Sequence, residues 1–80
     1  MPIPSPSNTA NRSARAILAT NVVRLRGEKK WSQEMLGFES GLHRTFIAHV
    51  ERQVRNISID NLEKIANALG VAPHQLLTPQ

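Results

Sequence analysis

Apolar residues recur along this chain at helical spacing. Ala14, Ile17, Leu18, Val22 and Leu25 fall at i, i+3, i+4, i+8 and i+11. That is one stripe of a helix running from Ser13 to near Lys29, with Gly27 weakening its last turn. Met35, Leu36 and Phe38 form the inward set of a second helix, with Ser32 as N-cap and Glu34 well placed in the first turn. It is expected to end at Ser40–Gly41, where Gly41 takes a positive φ. A third helix spans roughly His43 to Arg52. A fourth begins after Ser58, buries Ile59, Leu62, Ile65, Ala66 and Leu69, and stops at Gly70. Pro73 suits the first position of a last short helix bearing Leu76 and Leu77. Nothing alternates with period two for long enough to be a strand, and no internal repeat is found. The pattern predicts an all-α fold, a compact domain of five short helices over residues 13–80.

Residues 1–12 break this pattern. Pro2, Pro4 and Pro6 alternate with small polar residues and cannot join a core, so the segment reads as a flexible, solvated arm. It has no apolar stretch of the kind a signal peptide needs. Eighty residues leave no room for a two-domain enzyme with a deep cleft. The net charge of +4 and sequence pI of about 10.8 favour a polyanionic partner. Cysteine is absent, which excludes disulfide scaffolds and thiolate metal sites. No run approaches membrane-spanning length. A soluble, cytoplasmic, non-enzymatic protein with no cofactor is expected.

The sharpest chemical signal lies in the third helix. On a wheel of 100° per residue, Phe46, Ile47 and Val50 share one side. Arg44, Thr45, Ala48, His49 and Arg52 share the other. A small core requires the first set but not the second. Arg forks onto guanine, Thr donates or accepts, Ala leaves room for a thymine methyl, and His donates to a base edge or phosphate. A helix of about two turns, a glycine turn and a second helix is the helix-turn-helix plan, whose second helix enters the major groove. Gln33, at the start of the first of these helices, can reach a phosphate beside the exposed amides.

The stretch "SQEMLGFESGLHRTFIAHVERQVRNISIDNLEKIANALGVAPHQLL" resembles the helix-turn-helix domain of the lambda-repressor and Cro (XRE-like) class over about Leu18 to Leu77. Through "GLHRTFI", "VERQVRN" and "DNLEKIANALGV" it resembles the controller proteins of restriction–modification systems in particular. The resemblance implies a double-stranded DNA-binding regulator that acts as a homodimer on a palindromic operator. It assigns Gln33 to phosphate clamping, Gly41 to the turn, Ile47 and Val50 to the core, and Arg44, Thr45, Ala48 and His49 to base reading. It implies a salt bridge between Arg26 and Glu51, and phosphate contacts from Lys30, His43, Arg52, Arg55 and Asn56. Three positions depart from the family pattern. Gly37 replaces an alanine at the helix contact, Gln53 stands where glycine often ends the recognition helix, and Lys30 stands where the first loop often has glycine.

Other residues carry weaker signals. Glu34 and Glu39 balance charge; by the resemblance they could also touch RNA polymerase. His43, His49 and His74 do not have metal-ligand spacing. Trp31 is expected to cap the core rather than stack on a base. A dimer interface is expected from Ile57, Ile59, Val71, Leu76 and Leu77, late apolar residues that must serve core and interface together. The alternative reading is an antitoxin-type or phage-repressor-type protein whose main partner is another protein. An RNA-binding protein ranks lower, because Phe38, Phe46 and Trp31 are the only aromatics for a stacking platform.

Overall fold

Serine caps and left-handed closures divide the chain into helices. The computed structural model describes residues 12–80. The arm expected at residues 1–12 therefore lies, Arg12 apart, outside the described residues. The helices are α1 (Ala14–Glu28), α2 (Gln33–Ser40), α3 (Arg44–Glu51), α4 (Ile59–Leu69) and α5 (Pro73–Leu76), and no strand occurs among the described residues. Ser13, Ser32 and Ser58 each accept from a backbone amide at the third position beyond, at 3.0–3.1 Å. Each satisfies a donor that the first turn would otherwise orphan. Pro73 is the first residue of α5, where its missing N–H costs nothing.

All of the first four helices end alike. Lys30, Gly41, Gln53 and Gly70 have φ of 60°, 76°, 65° and 77°. The next residue's amide then reaches back to a carbonyl five positions earlier: Trp31 to Arg26, Leu42 to Gly37, Val54 to His49 and Val71 to Ala66, at 2.9–3.1 Å. This is the Schellman closure, and glycine supplies it without strain at only two of the four ends.

The core is one cluster. Leu18 and Val22 of α1, Leu36 of α2, Ile47 and Val50 of α3, Leu62, Ile65, Ala66 and Leu69 of α4, and Leu76 of α5 are all buried. Each large side chain contributes about 1.5–3 kcal/mol on leaving water. Trp31 packs on the edge of this cluster, with the Lys29 ammonium 5.1 Å from its ring centre.

Four apolar positions correct the expectations. Ala14 is exposed, because the inner stripe of α1 starts later, at Ile17 and Leu18. Met35 and Phe38 face solvent, Phe38 with 80% of its surface exposed, because α2 turns only Leu36, Gly37 and Ser40 inward. Ile59 is 77% exposed, since the first turn of α4 overhangs the core. Conversely, Asn21 is buried. Its Nδ2 donates to the carbonyls of Leu76 and Thr78 at 2.9 Å and, more weakly, of Gln75 at 3.3 Å. This ties α1 to the end of α5. No helix among the described residues is long and apolar enough to cross a membrane.

Candidate nucleic-acid interface

The two-helix unit is closed by contacts that only small residues permit. A Cβ on Gly37 would lie 2.7 Å from the Leu42 carbonyl oxygen and 3.1 Å from the Arg44 nitrogen. The absent side chain thus lets α2 sit directly on the start of α3. His43 caps α3, its Nδ1 accepting from the Thr45 amide at 3.0 Å. A nitrogen that accepts carries no proton, so Nε2–H is the donor that His43 offers outward.

One flank of α3 is hidden and the other is open. Ile47 and Val50 are buried and Phe46 half-buried. Arg44, Thr45 and Arg52 are exposed, while Ala48 and His49 are half-buried on the same side. Arg44 Nη1 lies 3.4 Å from Glu34 Oε1, both side chains being mostly in solvent. Glu34 therefore sits beside a base-reading candidate, while Glu39 is exposed and makes no ion pair among the described residues.

Arg26, Glu51 and Gln33 form one network. Arg26 donates from Nε to Glu51 Oε2 at 2.7 Å and from Nη2 to Oε1 at 2.9 Å. Its Nη1 donates to the Trp31 carbonyl at 2.9 Å. Gln33 Nε2 donates to Glu51 Oε1 at 2.8 Å. The first turn of α2, the end of α3 and the end of α1 are thus joined at one carboxylate. The hydrogen bond to Glu51 raises the Arg26 pKa above its ordinary value, partly opposed by burial. Gln33 gives one amide hydrogen to this network, and its Nε2 carries a second.

The remaining phosphate candidates surround this unit. Lys30, Arg52 and Arg55 are exposed, and none makes an ion pair among the described residues. The Arg55 guanidinium stands 5.2 Å from the Phe46 ring centre. Asn56 Oδ1 accepts from Arg15. The sequence does not pair Arg15 with Asn56, because 41 positions separate the two and no local pattern joins them. No cluster of His, Asp or Glu able to hold a metal occurs among the described residues.

The late apolar residues divide. Ile57, Ile59 and Leu77 line one apolar depression of about 180 Å³, together with Ala14, Leu18 and Leu62. Val71 lies elsewhere, in a more polar groove with Leu25 and His74. Leu76 is wholly buried in the core of the chain, so it is removed from the expected interface.

A capped, glycine-turned pair of helices with an open polar flank defines a helix-turn-helix protein, and the chain belongs to that family, whose pattern matches residues 22–76. Within it, the chain is similar to a hypothetical transcription factor of Neisseria meningitidis, 52% identical over 65 residues, covering 81% of this chain and 61% of the relative. It is also 61% identical over 46 residues to control protein C.BamHI of Bacillus amyloliquefaciens, covering 58% of this chain and 57% of that protein. The chain thus spans less than two thirds of the length of these two relatives. The crystal structure of the restriction–modification controller protein C.AhdI from Aeromonas hydrophila superposes with a TM-score of 0.74 at 40% identity, covering 78% of this chain and 94% of that one. The Neisseria factor's crystal structure gives a TM-score of 0.81, covering 82% of this chain and 74% of that one.

Proposed function

We propose that this protein is a sequence-specific DNA-binding transcriptional regulator of the controller type, binding a palindromic operator as a homodimer and regulating restriction–modification genes. The observation that carries this reading is the split face of α3. Its apolar side is spent on the core, while Arg44, Thr45, Ala48 and His49 remain on the solvent side. Arg44 reads a base edge, and Gln33, His43, Lys30, Arg52, Arg55 and Asn56 hold the backbone around it. Two protomers joined through Ile57, Ile59 and Leu77 would place two such helices on half-sites about one helical turn apart. RNA polymerase is the proposed further partner, through Glu34 and Glu39 on α2.

Selection of bound duplexes from a random pool tests this reading. A palindromic consensus is expected. Arg44→Ala should relax preference at one base pair, and Gln33→Ala should weaken binding across all sequences. Recovery of duplexes without a shared motif would overturn the reading. For polymerase contact, Glu39 is a cleaner probe than Glu34, whose carboxylate also faces Arg44. Glu39→Gln should reduce activated transcription and leave operator affinity unchanged.

A further inference from the structure

The loop between α3 and α4 is gripped from two sides. Arg55 is held against the Phe46 ring on the recognition helix. The next residue, Asn56, is held by Arg15 on the first turn of α1, whose Nη2 donates to Asn56 Oδ1. With Oδ1 occupied, the end of the amide left for a ligand is Nδ2, a donor. Ser13, Arg15, Arg55, Asn56 and Ile57 line one open groove that contains no carboxylate. Neither Arg15 nor Arg55 makes an ion pair among the described residues, and α1 has no acidic residue in its first turn. Two guanidinium groups and an amide donor thus converge where the protein supplies no anion of its own. A phosphodiester fits that set, because charge-assisted donors are strongest on an anionic oxygen.

We propose that Arg15 is both a positioning residue for Asn56 and a phosphate contact, carrying the DNA footprint past the recognition helix to the start of α1. This rests on the DNA-binding reading above. Arg15 fixes the amide so that its donors face the backbone, and its remaining N–H groups reach the same strand.

The test is a salt titration of duplex affinity with the full chain, on the operator selected by the wild type. Arg15→Ala should weaken binding about tenfold and lower the log–log salt slope by about one, as loss of one phosphate contact does. Arg15→Lys should keep the slope and lose about threefold, because an ammonium cannot reproduce the planar fork. Asn56→Ala combined with Arg15→Ala should cost less than the product of the two single losses, the mark of residues acting through one another. Thermal melting of the free variants should match the wild type, as expected of an exposed pair. Unchanged affinity and slope in Arg15→Ala, with wild-type binding intact, would overturn this inference alone. Multiplicative losses in the double variant would overturn the positioning role. No duplex binding by the wild type would overturn the DNA reading and this inference with it.

Discussion

At the scale of single residues, two positions control how α2 and α3 meet. Gly37→Ala should gain about 1 kcal/mol of helix propensity. It also drives a Cβ to 2.7 Å from a backbone oxygen that no rotamer change can move. Overpacking of that kind costs about 1–3 kcal/mol, so a net loss is expected, read as a lower denaturant midpoint. Glu51→Ala is the harsher change. It strips a half-buried guanidinium of its counter-ion, the two side chains being only 19% and 7% exposed, and should cost about 3 kcal/mol. The Arg26 pKa is raised on folding, so its contribution is fully present below the ordinary guanidinium value and fades only as pH rises through the still higher folded value. Sequence resemblance supplied this pair, but not Gln33's hydrogen bond to the same carboxylate or the approach of Glu34 to Arg44. Those depend on side-chain directions across a turn, which spacing alone does not set. Phe38 and Met35 misled because a short helix on a small domain has little inward arc to give. Apolar character alone cannot say which residues receive it.

At the scale of helices, starts were more legible than faces. Serine at 13, 32 and 58 marked three beginnings because an N-cap is a local device, readable within four residues. Glycine at 41 and 70 marked two endings for the same reason. The other two endings use the same closure with Lys30 and Gln53, where a Cβ crowds the left-handed backbone at a cost of about 1–2 kcal/mol. Both stood out in sequence as departures from a glycine pattern, and the structure gives the reason. Gln53→Gly should therefore raise stability by about 0.5 kcal/mol, the relief of strain exceeding the added freedom of the unfolded chain. Thermal melting measures it. A lower melting temperature would mean that the Gln53 side chain holds the end of α3 in place. Asn21 was not legible at all, because its partners lie 54–57 positions away.

At the scale of the whole molecule, charge and oligomeric state would set the proposed behaviour on DNA. One α3 in one groove discriminates weakly, since a good base contact contributes only about 1–3 kcal/mol. Ile59→Asp tests the proposed dimer. The side chain is 77% exposed, so the fold should survive while sedimentation shows monomer and operator affinity collapses. A variant that stays dimeric would move the interface elsewhere. The sequence offered Ile57, Ile59, Val71, Leu76 and Leu77 as one set, and only packing could separate the buried Leu76 from the exposed Leu77. Asn21 gives that surface a mechanical meaning. It bolts the carbonyls around Leu76 to α1, and α1 is in turn chained to α3 through Arg26 and Glu51. In the proposed dimer, the hinge plate and the reading head would then be one rigid casting. Two such castings joined back to back behave like calipers set to a single width, and an operator whose halves stand a base pair too close or too far would be refused rather than accommodated.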